Sequence, residues 1–481
     1  MLFSTAFLFA QTTTVTPTPA PVRISERIEN IGGTYYYLHT VERGQTLFSI
    51  ARTYQVTMSQ IRRTSDKADI QVGEILQIPS SNQTASRPAP ARLSEEVKPL
   101  ETTQPENVEA TPQRFNNPPK SVLNVALMLP LYLNEVDQIR IGPRTNRASI
   151  RPFSFVSFHH GATLAARAFE DRNIRINVRV FDVAENENTA INLINSGQLN
   201  DIDIIVGPLF ARSFEVVSEF AKQREIFIVN PLSNRDEILD NNPFVIKINP
   251  SEAQQLQTLL NHVAQNSIGH RILVLANDSL PNERERARQA RRFFEDKRNQ
   301  FDTIVFFDLS RERFPRFRSQ LSNTRGNAII YLSANEAFAT EVLTRTPRVE
   351  VAPTPNVLYS LLKLSRFEVT DPLYLNGLQT HYIDPFFINH NDERVRDFDL
   401  LFFETFGTIP DPMAYRGFDV MSFVFHLLKT GNTNYGNFLE IPFRGLHNTI
   451  RLHRSRPSQG LENISTNLLK VESSQLRRVN N

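Results

Sequence analysis

The residue groups that could carry out catalysis or hold a metal ion are incomplete in this sequence. No Gly-x-x-x-x-Gly-Lys-Ser/Thr loop for nucleotide phosphates and no Gly-x-Ser-x-Gly turn for a nucleophilic serine occurs among the 481 residues. His159 and His160 are adjacent, so on a helix their side chains point about 100° apart and do not share one metal ion. Acidic residues between positions 392 and 399 alternate with Arg394 and Arg396, which predicts a solvated helix face with i,i+4-type pairs. The sequence therefore predicts no catalytic residue, no metal site and no cofactor.

Composition argues against further classes of site. Cysteine is absent, which predicts no disulfide, no thiolate catalysis, no cysteine-based zinc site and no lipid-modified N-terminal cysteine. A net charge of +2 gives no global field for nucleic acid or an acidic membrane surface. The Arg-rich run Glu283–Arg298 carries an apolar stripe and predicts an amphipathic surface helix, without the aromatic platform of a nucleic-acid reader. No segment approaches the ~18 apolar residues of a transmembrane helix.

Composition also divides the chain into segments. Residues 1–10 read MLFSTAFLFA and resemble the apolar half of a secretory signal peptide, which predicts export to the periplasm or another extracytoplasmic compartment. Residues 11–35 are rich in threonine and proline and predict a flexible, disordered leader. Residues 36–80 form a compact patterned block, residues 81–120 hold seven prolines in a flexible linker composition, and residues 121–481 form the large domain.

Short apolar runs alternate with helix-length stretches in the large domain, which predicts parallel βαβ units and an α/β fold. The alternation pauses at Pro243–Pro250, so we expect two lobes with a crossover there. The predicted strands are Leu123–Leu129, Ile176–Phe181, Ile202–Val206, Ile226–Val229, Ile272–Ala276, Thr303–Phe307 and Ala328–Leu332. The predicted helices cover residues 155–171, 187–198, 211–223, 251–266, 281–299 and 335–345.

The compact block begins with a strand at Tyr37–Val41, continues through two helical stretches and ends on Val72-Gly73-x-x-Leu76-x-Ile78-Pro79. On these motifs it resembles the LysM family. The resemblance implies a small βααβ module that binds N-acetylglucosamine-containing glycans, chiefly peptidoglycan, in a shallow groove between two loops. The residues that it places there are Gly44, Gln45, Thr46, Leu47, Asp69, Ile70, Gln71 and Val72. Leu47 fits a core position equally well, and the family usually has aspartate in place of Gln45.

The large domain resembles the two-lobed type I periplasmic-binding-protein fold. Asn124–Leu131 matches the first strand, and Ser157–Phe169 matches the first helix, where Gly161 permits close packing on the sheet. Ile409–Met421 matches a late helix of that fold. The loop Gly207–Arg212 is similar to that of the C-terminal domain of outer-membrane activators of peptidoglycan synthases, which use the fold as a protein-interaction body.

The second resemblance implies a ligand cleft between the lobes, at the carboxyl ends of the strands. Mapped onto this sequence, the cleft candidates are Phe210, Ser213, Ser233 and Asn234 from the first lobe, and Asn277, Asp278 and Asn335 from the second. Ser213 and Ser233 stand at helix starts, where an anion can bind. The alternative is that both serines are plain helix caps and that Asn277 and Asp278 are turn residues.

An insertion after the first strand, Asn134–Arg151, carries Arg140, Arg144, Arg147 and Arg151. It predicts a basic lid for an anionic ligand, a docking loop for a protein partner or a solvated loop. The sequence leaves three functions open. The first is a non-catalytic scaffold that binds peptidoglycan through LysM and an envelope protein, such as a cell-wall synthase, through the α/β domain. The second is a wall-retained receptor for a small polar ligand such as an amino acid. The third is a peptidoglycan hydrolase, although residues 121–481 contain no catalytic constellation.

Overall fold

The computed structural model divides into two compact units, Met1–Glu106 and Asn107–Asn481. The first unit is described at residues 25, 27–31, 34–42, 45, 50, 53–54, 61–63 and 70–79. The second is described at residues 121–139, 150, 153–169, 171, 173–347, 355–364, 372–434, 442–473 and 475–479. The predicted signal peptide and the predicted linker lie outside the described residues.

Four antiparallel strands form the sheet of the first unit, in the order β1-β2-β4-β3. They are β1 (Ile28–Ile31), β2 (Thr34–Thr40), β3 (Arg62–Arg63) and β4 (Ile75–Pro79). Leu76 and Ile78 alternate inward along β4 and close the core on Ile50. The two central strands, β2 and β4, are the first and last strands of the predicted LysM-type module and confirm that prediction. β1 departs from the predicted flexible leader, because its backbone pairs along the whole strand with β2.

The first lobe of the second unit is built on a seven-stranded sheet with the order β17-β18-β9-β8-β7-β5-β6. Its strands are β5 (Val122–Leu129), β6 (Arg175–Asp182), β7 (Ile204–Val206), β8 (Phe227–Asn230), β9 (Val245–Lys247), β17 (Leu452–His453) and β18 (Leu461–Asn463). All are parallel except β17. Leu127 and Met128 are both buried, on opposite faces of β5, as expected for a parallel sheet covered on both sides.

The second lobe is built on another seven-stranded sheet, with the order β11-β10-β12-β13-β14-β19-β20. Its strands are β10 (Arg271–Ala276), β11 (Thr303–Asp308), β12 (Asn327–Tyr331), β13 (Asn356–Ser360), β14 (His381–Asp384), β19 (Asn467–Glu472) and β20 (Gln475–Arg478). The last two strands are antiparallel to their neighbours. A short hairpin, β15 (Phe443–Arg444) and β16 (Thr449–Ile450), stands apart from both sheets.

Ten described helices surround the sheets. They are α1 (Val156–Ala168), α2 (Glu187–Asn195), α3 (Ala211–Arg224), α4 (Glu252–Asn266), α5 (Pro281–Glu295), α6 (Phe314–Ser319), α7 (Glu336–Arg345), α8 (Pro372–Gly377), α9 (Glu393–Phe406) and α10 (Pro412–Asn434). The six helices predicted before residue 346 are confirmed to within a few residues at each end. Helices α9 and α10 pack on the first lobe, although they follow strands of the second.

The chain passes between the lobes three times. The first passage follows β9, within the predicted crossover Pro243–Pro250, and the others follow β14 and β18. The sequence did not predict the two later passages.

Helices α1 and α10 cross at a pair of glycines. A Cβ atom on Gly161 would lie 1.9 Å from the Ala414 carbonyl oxygen, and one on Gly417 would lie 2.0 Å from the Phe158 oxygen. The prediction that Gly161 allows close packing is thus correct in kind but wrong in partner, because Gly161 faces α10 rather than the sheet. Any larger side chain at either position would push the two helices apart.

Candidate functional site

The loop after β2 in the first unit is held by a buried polar network. Gln45 is buried, and its Oε1 accepts a hydrogen bond from the Glu42 backbone N–H at 2.9 Å. The same oxygen lies 2.9 Å from His39 Nε2, which must therefore donate. His39 Nδ1 lies 2.9 Å from the Tyr54 hydroxyl. The LysM resemblance places Gln45 at the glycan groove. In the structure its buried side chain instead stabilises the loop through these hydrogen bonds.

The second predicted glycan loop, before β4, lies directly beside the first. Val41 at the end of β2 donates to the Glu74 carbonyl at 2.9 Å and accepts from the Gly73 N–H at 2.8 Å. Gly73 has a φ of +87°, a conformation that favours glycine. Gln71 is exposed, and Val72 is 67% exposed at the tip of the turn.

The predicted glycan-binding residues therefore fall into three groups. Gln71 and Val72 face outward, Ile70 packs on the small core, and Gln45 points inward. Gly44, Thr46, Leu47 and Asp69 lie outside the described residues. Among the described residues, backbone hydrogen bonds between Val41 and the Gly73–Glu74 turn hold the starts of the two loops side by side.

The predicted cleft residues of the first lobe lie at the carboxyl edge of its sheet, after β7 and β8. Ser213 is fully buried, and its Oγ donates to the Ala184 carbonyl at 2.8 Å. The Oγ of Ser233 accepts from the Arg235 N–H at 3.2 Å. Phe210 precedes α3, and its ring lies 6.1 Å from that of Phe155. Asn234 is exposed. Neither serine caps a helix: Ser213 lies in the first turn of α3 and binds the loop after β6, and Ser233 stabilises the turn that it starts.

The predicted cleft residues of the second lobe follow β10 and β12. Asn277 Oδ1 accepts from the Ser279 N–H at 3.0 Å, which makes Asn277 a turn residue. Asn335 Oδ1 accepts from the Phe338 N–H at 3.1 Å and caps α7. Asp278 is exposed, and its N–H donates to Asp308 Oδ1 at 3.1 Å.

Side-chain amides tie the passages between the lobes together. Asn463 Nδ2 donates to the Ile248 carbonyl at 3.0 Å, which joins the first passage to the third. Gln254 Nε2 donates to the Ile464 carbonyl at 3.1 Å and makes a second such link. Asn467 Nδ2 donates to the Asp384 carbonyl at 3.1 Å, which joins the third passage to the second. The three passages together form the hinge between the lobes. Side-chain hydrogen bonds join these passages and must break if the passages move apart.

Two buried charge clusters reinforce the hinge. Lys247 is 0% exposed and lies 2.7 Å from Asp236 Oδ1 and 3.0 Å from Glu462 Oε1. Asp419 accepts from the backbone N–H groups of Leu446 at 2.8 Å and His447 at 3.0 Å and also contacts the His447 ring. Buried charges are stable only when they are paired in this way.

An apolar groove opens at the carboxyl edge of the first lobe. It has a volume of about 230 Å³ and is lined by Leu131, Leu133, Val136, Phe153, Val156 and His159. Leu133 and Val136 are 61% and 41% exposed. Burial lowers the pKa of His159, so this side of the groove is uncharged at neutral pH.

A single carboxylate at the end of β6 holds one wall of the groove in place. The Asp182 oxygens accept from the backbone N–H groups of Leu131 at 2.8 Å, Tyr132 at 3.0 Å and Leu133 at 2.8 Å. The insertion Asn134–Arg151 starts in this wall, and its four arginines lie outside the described residues. The groove was not predicted from the sequence, although the apolar Leu131, Leu133 and Val136 after a strand were a visible signal.

The described residues contain no group of three or more His, Cys, Asp or Glu side chains placed to hold a metal ion. Within the same residues, no helix is both long and apolar enough to cross a membrane. The acidic run after residue 391 pairs in a different pattern from the predicted one: Asp392 binds Arg394, and Asp399 contacts His390 and Tyr415.

The two-lobed α/β architecture with three passages defines the second unit as a binding protein of the periplasmic type. The periplasmic binding protein family model matches residues 138–437, well over half of the chain, and the LysM domain model matches residues 39–79. The chain therefore belongs to the periplasmic binding protein family and carries a LysM domain ahead of that fold. A LysM domain supports peptidoglycan binding, and both domains imply an extracytoplasmic location.

Solved structures share the fold at low sequence identity. A putative branched-chain amino acid ABC transporter from Rhodospirillum rubrum is 12% identical, with a TM-score of 0.53 over 74% of this chain and 100% of that chain. Full-length LpoA from Haemophilus influenzae is 14% identical, with a TM-score of 0.48 over 76% of this chain and 60% of that chain. A substrate-binding protein from Desulfitobacterium hafniense in complex with Leu is 12% identical, with a TM-score of 0.44 over 74% and 100%. A search of curated proteins found no match.

Proposed function

We propose that this protein is a non-catalytic scaffold of the cell envelope. Its LysM domain binds the N-acetylglucosamine glycan of peptidoglycan through the loops after β2 and before β4. Its α/β unit binds a second envelope protein, of the cell-wall synthase class, through the apolar groove of the first lobe. The proline-rich segment 81–120 acts as the linker between the two binding activities.

The observation that carries this proposal is a contrast at the carboxyl edge of the first lobe. Ser213 is fully buried and donates its hydroxyl to the Ala184 carbonyl, and the Ser233 hydroxyl accepts from the Arg235 N–H, so both hydroxyls are engaged within the protein. Beside them, Leu133 and Val136 leave apolar surface open to solvent. A small-molecule receptor needs a few convergent polar groups in a closed pocket, whereas exposed apolar surface is typical of protein-binding sites.

The hinge supports the same function. A receptor closes on its ligand through large backbone rotations at a few hinge residues. Here the amides of Asn463, Gln254 and Asn467 connect the passages, and the buried Lys247 pairs with Glu462 of a different strand. Each link opposes relative movement of the passages, which suits a fixed binding surface better than a closing trap.

The alternative function is a wall-retained receptor for a small polar ligand such as an amino acid. The observation that favours it is the exposure of Asn234 and Asp278, which lie at the carboxyl edges of the two sheets. On this alternative, adding the ligand would draw the lobes together. Small-angle scattering of the full chain, with and without a mixture of amino acids, would then register a smaller radius of gyration.

Site-specific cross-linking in cells tests the scaffold function. A benzophenone side chain is placed at Val136 in the groove or, as a matched control, at Val180 on the outer strand β6; the two positions are 41% and 40% exposed. We expect a discrete adduct with a cell-wall synthase from Val136 alone, and Leu133→Asp should abolish it. Equal adducts from both positions, or compaction by amino acids without any adduct, would contradict the proposal.

A further inference from the structure

Two arginines from separate elements contact one carboxylate where the two lobes meet, and a third arginine lies close enough to interact with it electrostatically. Arg394 lies on α9 and Arg444 on β15, and both elements pack on the first lobe. Arg478 lies on β20, the last strand of the second sheet. The carboxylate is that of Asp392, which caps α9.

Both carboxylate oxygens of Asp392 already interact with neighbouring groups. Its Oδ2 lies 3.0 Å from Arg394 Nη2 and 3.8 Å from Arg444 Nη2, and its Oδ1 accepts from the Arg394 N–H at 3.0 Å. Burial raises the pKa of Asp392, but the bond to Arg394 and the charges of Arg394 and Arg444 outweigh it and lower the pKa below its usual range. Asp392 is therefore ionised at neutral pH and can offset one of the three positive charges.

Arg478 is the least compensated of the three arginines. Its guanidinium lies over the Phe387 ring, 6.0 Å from the centroid, and no carboxylate of the described residues lies within ion-pair distance of it. Burial and the charge of Arg444 lower the pKa of Arg478, Asp392 raises it, and Arg394 lowers it further. Its neighbour Arg477 points to the other side of β20 and pairs with Glu472 at 3.5 Å.

We propose that Arg394, Arg444 and Arg478 form a binding site for a phosphate-type dianion at the junction of the lobes. Three positive charges around one carboxylate leave a formal excess of two, which one dianion neutralises. Guanidinium groups bind phosphate oxygens through pairs of parallel hydrogen bonds, and the Arg444 side chain is 69% exposed and can present such a pair. A bound phosphate group would connect β20 of the second lobe to α9 and β15 of the first. This inference does not depend on the proposed scaffold function.

Isothermal titration of the full chain with inorganic phosphate tests the site, with chloride at matched ionic strength as the reference. We expect saturable binding that weakens about tenfold or more in Arg478→Gln, because a charge-assisted bidentate contact is lost. Arg477→Gln, the next residue on the same strand, should bind as the wild type does. Arg444→Gln, whose side chain is 69% exposed, repeats the test at a position where a folding defect is not expected.

A second arm distinguishes free phosphate from a lipid headgroup. Sedimentation with vesicles of phosphatidylcholine containing phosphatidic acid should retain the wild type, but not Arg478→Gln, if the phosphate belongs to a lipid. Saturable phosphate binding without retention on the vesicles assigns the site to soluble phosphates. Phosphate affinity that is equal in Arg478→Gln and Arg477→Gln, or binding of hexaglutamate in place of phosphate, would overturn the inference.

Discussion

The carboxyl edges of the two sheets in the α/β unit are built differently. In the second lobe, the buried Glu283 carboxylate accepts from the backbone N–H groups of Asn277 at 2.8 Å and Ala334 at 3.0 Å, so it joins the loops after β10 and β12. In the first lobe, Asp182 accepts from one loop only and holds Leu133 toward solvent. One fold thus provides a braced edge and an apolar, accessible edge, and this difference supports the proposal that the partner binds at the first lobe.

The largest effect is expected from removing the brace of the second lobe. Glu283→Ala removes a buried carboxylate and leaves two part-buried N–H groups without their charged acceptor, which costs about 2–6 kcal/mol of the free energy of unfolding at about 1–3 kcal/mol each. Glu285→Ala, two residues away on α5, breaks an exposed ion pair with Arg288 and a long hydrogen bond from Gln289, and should cost about 1 kcal/mol or less. Urea unfolding of the two variants measures this difference. Equal losses of unfolding free energy would show that Glu283 does not stabilise the two loops.

A pH dependence is expected to come from the second lobe. Burial lowers the pKa of His381 to about 3, below the 6.5 of an unfolded histidine. Between these values the unfolded chain binds a proton that the folded chain does not, so stability falls as pH falls, by up to about 1.4 kcal/mol per pH unit.

His381→Phe keeps the ring that stacks on Tyr359 and removes the titrating group. The dependence of unfolding free energy on pH between 6 and 4.5 should therefore be flatter in this variant by about 1 kcal/mol per unit. His390→Gln, at an exposed position, serves as the control. Identical pH profiles for His381→Phe and the wild type would refute the assignment.

A smaller loss of stability than that of Glu283→Ala is expected at the accessible edge of the first lobe. Asp182→Ala removes three hydrogen bonds from a partly solvated loop, whose N–H groups can turn to water, so we expect a loss of about 1–3 kcal/mol. The cross-link from Val136 should nevertheless disappear, because the groove wall is no longer held. Asp201→Ala, at an exposed ion pair with Arg179, should leave both properties unchanged. A cross-link that persists in Asp182→Ala would show that the partner does not depend on the groove wall for binding.

The sequence predicted those parts of the fold that depend on local pattern. In the α/β unit, apolar runs located β5–β8 and β10–β12 but not β9, and helical periodicity located six of the seven described helices before residue 346 but not the short α6. The strands β13, β14 and β17–β20 were missed, because short segments such as Leu461–Asn463 and Gln475–Arg478 carry mixed polar residues. Their strand conformation depends on neighbours that are distant in the chain, since β18 pairs with β9.

The candidate sites also divide into features that follow from local sequence and features that depend on residues distant in the chain. Residue type and position placed Ser213 and Asn335 at the correct edges, but the direction of each side chain depends on local hydrogen bonds. The cap at Asn335 was accessible from its spacing to Phe338. The burial of Lys247 was not, because its partner Glu462 is far away in the sequence. The arginines around Asp392 come from three distant segments, and only the folded chain brings them together.

Sedimentation with purified peptidoglycan sacculi tests the central claim most directly. The full chain is compared with a truncated chain that begins at Ser121 and with the loop variant Val72→Asp, which places a charge at the exposed tip of the second glycan loop. We expect the full chain to pellet with the sacculi and the truncated chain to stay in solution. Val72→Asp should bind the sacculi more weakly than the wild type does. Pelleting of the truncated chain to the same extent, or failure of the full chain to pellet, would contradict the central claim.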